Sequence, residues 1–169
     1  MAASRIDDRQ ISRVFVYGTL RRDAPAVPGW KRILHQLRRG SQWIGRGRAT
    51  GQLYDLGLYP GMIDAPDREE RRTSVNSIAA GDPRWVIGDM YQLIEPGRDD
   101  LLATLDEYED CRPGDAEGSL YRRETRTITL DTGDTCMAWL YLFNRPLPTN
   151  AVHIPNGDYL GRPQFRPPN

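Results

Sequence analysis

The segment VFVYGTLRR at residues 14–22 constrains the fold most, because an apolar run typical of a buried strand stops abruptly at Gly18. A glycine at that point lets the backbone come close to another group, since it carries no Cβ. The loop after such a strand offers unpaired backbone N–H groups, which form a concave site for an anion. The segment therefore predicts a strand over Arg13–Tyr17 followed by a ligand-binding loop.

The remaining pattern predicts a single α+β domain over residues 13–160 with more strand than helix, between loose termini at 1–12 and 161–169. Apolar residues recur at helical spacing in a predicted helix from Pro28 to Arg39, and a second helix is predicted over Arg98–Asp110. Segments typical of strands are 41–56, 58–63, 84–93, 120–130 and 135–143. Both faces of 135–143 are apolar, which predicts a central, buried strand. A long loop is predicted at 64–83.

Composition limits the class of protein. The 169 residues are 38% hydrophobic with a mean hydropathy of −0.64, and no apolar run is long enough to span a membrane. The N-terminal segment lacks the apolar stretch of a secretory signal, and Cys111 and Cys136 have no metal-binding spacing. These features predict a cytoplasmic protein with reduced thiols, no membrane partner and no metal site.

Charge argues against a nucleic-acid partner, because 23 basic and 23 acidic side chains leave no net charge. The exception is a basic cluster at 38–48 that contains Trp43 and could hold a single strand of nucleic acid. A solvated helix end that runs into a strand is the simpler interpretation of this cluster. We therefore expect no nucleic-acid partner and keep the cluster as an alternative.

Glu109 is the acidic residue whose predicted position most needs an explanation. At about 100° per residue, Glu109 falls between Leu105 and Leu102 on the apolar face of the second helix, while Asp106 falls on its border. Burial and the negative end of the helix dipole both raise a carboxyl pKa toward neutrality, which suits proton transfer. The alternatives are an ion pair of Glu109 with Arg122 or Arg123, or a frayed helix end that turns the side chain outward.

Several segments, taken in order along the chain, resemble the gamma-glutamylcyclotransferase-like superfamily, and specifically its AIG2-like branch of gamma-glutamylamine cyclotransferases. They are VFVYGTLRR at 14–22, GQLYDLGLYPGM at 51–62, VIGDMYQL at 86–93, LDEYE at 105–109, YRRE at 121–124, and WLYLF at 139–143 with GDYL at 157–160. The resemblance implies a small mixed β-barrel with flanking helices and a pocket at one end.

The resemblance also implies the residues of the site. Glu109, the last residue of a D-x-x-E element, is implied as the catalytic acid and base. The residues implied to bind the substrate are Tyr17, Gly18, Thr19, Leu20, Tyr59 and Tyr121. The segments 64–83 and 110–120 are longer than in close relatives, so the preference for a particular substrate does not carry over.

The implied activity is conversion of a small gamma-glutamyl amine or peptide to 5-oxoproline and a free amine, with no cofactor. The alternative is a non-catalytic binding or regulatory module on the same fold. A thiol mechanism through Cys111 is disfavoured, because neither His35 nor His153 lies in a recognisable partner motif.

Overall fold

The computed structural model describes residues 11–25, 28–65 and 84–162, and the helices and strands below lie within those ranges. In chain order they are β1 (Arg13–Val16), α1 (Pro28–Gly40), β2 (Ser41–Thr50), β3 (Gln52–Asp55), β4 (Pro60–Ile63), β5 (Trp85–Leu93), α2 (Arg98–Tyr108), β6 (Tyr121–Leu130), β7 (Thr135–Phe143) and β8 (Val152–His153). Most of the predicted 64–83 loop, and most of both predicted loose termini, lie outside the described residues.

The strands close into a barrel in the order β1–β5–β2–β6–β7. Its first and last strands, β1 and β7, run parallel, with Val14 opposite Trp139, whereas the other pairs are antiparallel. A separate small sheet has the order β4–β3–β8. The fold class is thus confirmed as α+β, a small mixed barrel with flanking helices.

The predicted strand over 41–56 is wrong, because the chain breaks at Gly51 into β2 of the barrel and β3 of the small sheet. The Gly51 N–H donates to the Arg84 carbonyl at 3.0 Å, just beyond the last β2–β5 pair. A Cβ at Gly51 would lie 2.9 Å from the Ile63 carbonyl oxygen. Glycine therefore lets the chain turn close against β4 and start the second sheet.

The apolar side chains of β7 pack on both faces of the barrel wall, which confirms that this strand is central and buried. Leu140 and Leu142 belong to a cluster inside the barrel, whereas Trp139 and Tyr141 belong to a cluster between the barrel and the helices. Helix α1 adds its predicted stripe of Trp30, Ile33, Leu34 and Leu37 to the outer cluster. Burial of each such large side chain contributes about 1.5–3 kcal/mol.

Helix α2 ends at Tyr108, two residues earlier than predicted, and Glu109 is its C-cap. Asp110 adopts a left-handed conformation with φ of 46°. The Asp110 N–H donates to the Glu107 carbonyl at 3.3 Å, and the Cys111 N–H donates to the Asp106 carbonyl at 2.8 Å. This paired arrangement is a Schellman motif, which stops the helix and leaves Glu109 at its end. Within the described ranges, no helix is both long and apolar enough to cross a membrane.

Candidate active site

A cavity of about 270 Å³ lies where the loop after β1, the end of α2 and the residues before β4 meet. The structure brings all of the predicted site residues to the lining of this cavity. They are Tyr17, Gly18, Thr19, Leu20, Tyr59, Glu109 and Tyr121. Segments far apart in the sequence thus share one concave surface.

Glu109 is a partly buried carboxylate on this surface. Within the described part of the chain it forms no hydrogen bond or ion pair, and burial raises its pKa from 4.5 to about 8. The predicted alternative of an ion pair is wrong for both candidate arginines. Arg122 pairs with Asp64 and Glu124, and Arg123 pairs with Asp106. A carboxyl group in this state exchanges protons near neutral pH.

The loop after β1 lines the same cavity. The N–H groups of Gly18, Thr19 and Leu20 donate no hydrogen bond within residues 11–25, 28–65 and 84–162, while the Arg21 N–H closes a turn onto the Gly18 carbonyl at 3.2 Å. Successive free amides in a turn form a concave anion-binding site. The structure adds a packing reason for the glycine, since a Cβ at Gly18 would lie 2.5 Å from Cγ of Pro60.

The predicted tyrosines form the wall and the rim of the cavity. The Tyr17 hydroxyl donates to the Tyr141 carbonyl at 2.6 Å, and the Tyr121 hydroxyl donates to the Pro60 carbonyl at 2.6 Å. Burial raises the pKa of both phenols, so they stay neutral in the physiological range. Tyr59 is 38% exposed and meets the edge of the Tyr121 ring, with 6.2 Å between ring centroids.

A contact that the sequence did not predict ties the loop to the helix. Thr19 Oγ1 and the Tyr108 hydroxyl share a hydrogen bond of 2.9 Å, one residue before Glu109. This bond joins the loop to the end of α2 that carries the carboxylate. The sequence carries no local signal for this bond, because Thr19 and Tyr108 lie 89 positions apart along the chain.

A buried charge network, also missed from sequence, holds the back of the loop. Arg21 is 1% exposed and pairs with Asp158 at 2.5 Å and with Asp89 at 3.7 Å. Asp89 also accepts the Arg22 N–H at 2.8 Å. Although burial acts to raise it, the hydrogen bond and charge of Arg21 hold the pKa of Asp158 below its ordinary value. Buried charges persist where such partners are present, so this network sets the path of the loop.

Comparison with known proteins agrees with this geometry. A family model described as "Gamma-glutamyl cyclotransferase, AIG2-like" matches residues 14–161. The chain belongs to this family. A protein of Drosophila melanogaster named "Putative gamma-glutamylcyclotransferase" is 28% identical to this family member over 136 residues, which cover 79% of this chain and 71% of the fly protein.

Solved structures show the same fold in other members and in longer chains. The mouse AIG2-like protein superposes with a TM-score of 0.54 at 22% identity, covering 92% of this chain and 99% of the mouse chain. YkqA from Bacillus subtilis superposes with a TM-score of 0.52 at 22% identity, covering 88% of this chain. The match spans only 39% of the YkqA chain. At these identities the likeness establishes the architecture.

The site of this AIG2-like family member combines a proton-exchanging carboxylate with backbone donors around a small, largely aromatic cavity. The charged residues that line it are Glu109 and Asp110, and no arginine or lysine of the described ranges is among its lining. Within those ranges no cluster of three or more histidine, cysteine or acidic side chains could hold a metal ion. The arrangement suits binding of an anion by the amides and transfer of a proton by the carboxylate.

Proposed function

We propose that this chain is a gamma-glutamyl cyclotransferase, which converts a small gamma-glutamyl amine or peptide to 5-oxoproline and a free amine. The observation that carries the proposal is the Glu109 carboxyl group, which is raised in pKa and lines the same cavity as the loop residues Gly18, Thr19 and Leu20. Membership of the family and the name of the fly relative support the same reaction class.

The cavity suits a substrate the size of a glutamyl group. In the proposed complex, the loop amides hold the α-carboxylate and the γ-carbonyl oxygen, which becomes negative as the ring closes. Tyr17, Tyr121 and Tyr59 enclose the aliphatic chain and favour the folded conformer. Because the attacking amine is already part of the substrate, correct folding supplies much of the rate enhancement.

Glu109 carries the protons in the proposed mechanism. Its carboxylate first takes a proton from the substrate α-ammonium, so that the neutral amine nitrogen attacks the γ-carbonyl carbon. After the tetrahedral intermediate forms, Glu109 gives that proton to the leaving nitrogen, and the Glu109 carboxylate then accepts the surplus proton of the ring nitrogen. The C–N bond to the leaving amine then breaks. One carboxyl group with a pKa near neutrality serves both directions, so the chemistry calls for no cofactor.

Incubation with a panel of gamma-glutamyl amines and dipeptides, followed by mass spectrometry for 5-oxoproline, tests the proposal. We expect product from at least one compound and its loss in Glu109→Gln. Glu107→Gln makes the same chemical change on an exposed residue of the same helix and should remain active. Folded protein that yields no 5-oxoproline from any compound, but still binds one of them, would favour the alternative of a non-catalytic binding module.

A further inference from the structure

Asp106 lies one helical turn before Glu109 and is 7% exposed. The sequence placed it only at the border of the apolar face, but the structure buries it against the barrel. Its Oδ1 accepts a hydrogen bond from the Tyr141 hydroxyl at 2.8 Å, and its Oδ2 pairs with Arg123 Nη1 at 3.1 Å. Helix α2 is therefore fastened at its last turn to both β6 and β7.

The same contacts hold Arg123 at the last turn of α2, next to the helix end that carries the proposed catalytic carboxyl group. Residues three apart on a helix have Cβ atoms about 5–6 Å apart, which places Asp106 and Glu109 side by side. The Tyr141 hydroxyl interacts electrostatically with Asp106, Glu109 and Arg123. Burial and the two acidic residues raise its pKa, while Arg123 lowers it. An arginine side chain is long and flexible enough to change partner over such a distance.

Among the residues that the structure describes, the other titratable groups around Glu109 are not basic. They are Tyr17 after β1, Tyr121 on β6, Tyr141 on β7, and Tyr108, Asp110 and Cys111 beside it in the chain. The phenols and the thiol are neutral at physiological pH, since burial raises the pKa of each.

Two arginines near the end of α2, Arg112 and Arg123, have carboxylate partners. Arg112 is exposed and lies 3.4 Å from Asp110. Arg123 is the partly buried cation of this neighbourhood, and it binds Asp106 on one side while its guanidinium lies over the Trp139 ring at 4.9 Å.

We propose that Asp106 is a positioning residue that keeps Glu109 without a counter-ion, by binding Arg123, which would otherwise turn to it. This inference rests on the proposed function for its catalytic meaning. Without the Asp106 charge, Arg123 pairs with Glu109 and stabilises its ionised form. Glu109 then becomes a weaker base and a poorer proton carrier.

The test measures the titration midpoint of Glu109 directly, by NMR of protein labelled with ¹³C at the glutamate side-chain carboxyl and assigned with Glu109→Gln. In Asp106→Asn, which keeps an oxygen to accept from Tyr141, we expect the midpoint to fall by about one to three pH units. In the double variant Asp106→Asn with Arg123→Gln, the midpoint should return to the wild-type value. Arg46→Gln, which removes an exposed arginine paired with Asp23, is the matched control and should leave it unchanged.

An unchanged midpoint in Asp106→Asn, or no recovery in the double variant, would overturn the inference. If Asp106→Asn does not fold, Arg123→Gln alone decides. Loss of the cation leaves the Asp106 charge unpaired, so the Glu109 midpoint should rise, and a fall or no change would contradict the proposal.

Kinetics separate this role from a purely structural one. Asp106→Asn should lower kcat while leaving KM near the wild-type value, and should move the acidic limb of the kcat/KM profile to lower pH. The addition of Arg123→Gln should restore the position of that limb. If wild-type protein yields no 5-oxoproline, the proposed function fails, whereas the NMR midpoint still decides the role of Asp106.

Discussion

Replacement of Glu109 by glutamine should change how the stability of the protein depends on pH. Below pH 4.5, folded and unfolded chains both hold the proton on Glu109. Between pH 4.5 and about 8, only the folded state holds it, because burial raises the pKa of this carboxyl group. The free energy of unfolding therefore falls as pH rises through this window, by about 1.4 kcal/mol per pH unit at most. Above pH 8 Glu109 is ionised in both states, so the free energy of unfolding stays lowered by the full cost of burying its charge.

The rise of the Glu109 pKa from 4.5 to about 8 lowers the free energy of unfolding at high pH by about 5 kcal/mol if all of it acts on stability. Glu109 is partly exposed to the cavity, so we expect Glu109→Gln to stabilise the protein by about 2–4 kcal/mol at pH 9 relative to pH 5. For a chain of this size, that difference corresponds to a rise in Tm of roughly 4–15 °C at pH 9.

Urea unfolding followed by tryptophan fluorescence, from pH 5 to pH 9, measures this effect. The informative quantity is the free energy of unfolding of Glu109→Gln minus that of the wild type, which should increase with pH and level off above pH 8. Glu107→Gln, on the exposed side of α2, should give a flat difference. A flat difference for Glu109→Gln as well would refute the argument that burial raises the pKa of this residue.

Other substitutions probe the loop that lines the same cavity as Glu109. Gly18→Ala places a Cβ 2.5 Å from Pro60, so we expect about 1–3 kcal/mol of destabilisation in urea and a higher KM. Arg21→Met leaves the buried Asp89 and the partly buried Asp158 without this counter-charge and should cost about 3–5 kcal/mol at pH 7, measured by the same unfolding assay. Tyr108→Phe removes the bond to Thr19, and should raise KM and cost about 0.5–1.5 kcal/mol without moving the pH profile of kcat/KM.

Matched controls make these results specific. Gly29→Ala adds a Cβ that meets no atom within 4 Å, so it should be neutral or slightly stabilising, unlike Gly18→Ala. Arg46→Gln breaks an exposed pair with Asp23 and should cost less than about 1 kcal/mol, unlike Arg21→Met. Equal losses in the loop variants and in these controls would mean that the loop contacts have no special role. A shifted pH profile in Tyr108→Phe would contradict its assignment as a tether.

Local patterns predicted much of the architecture and brought attention to Glu109. The spacing of Trp30, Ile33, Leu34 and Leu37 is a property of one helix, and those residues are buried as predicted. The prediction of one strand over 41–56 was wrong because the residue types on both sides of Gly51 suit a strand equally well. Only the approach of β4 and Arg84 decides where the first strand ends.

The candidate site could not be predicted from the sequence where the role of a residue depends on a partner far away along the chain. Asp106 and Glu109 lie three residues apart on one helix, and periodicity placed Glu109 on the apolar face with Asp106 at its edge. The structure pairs Asp106 with Arg123 and leaves Glu109 facing the cavity, which is a consequence of how β6 and β7 pass beneath the helix. Nothing in the local sequence distinguishes Arg21 from the adjacent Arg22, yet Arg21 pairs with Asp89 and Asp158 in the fold.

The sequence by itself determined the helix with its apolar stripe, the central strand, the strand that ends shortly before Gly18 and the acidic residue on an apolar face. Each of these follows from residue types within one or two turns or along one strand, where spacing alone sets the geometry. Tertiary structure alone decided that Asp106 pairs with Arg123, whereas Glu109 has no ion-pair partner among the described residues. That choice depends on charges brought together from α2, β6, β7 and the loop after β1, and no local pattern encodes their distances.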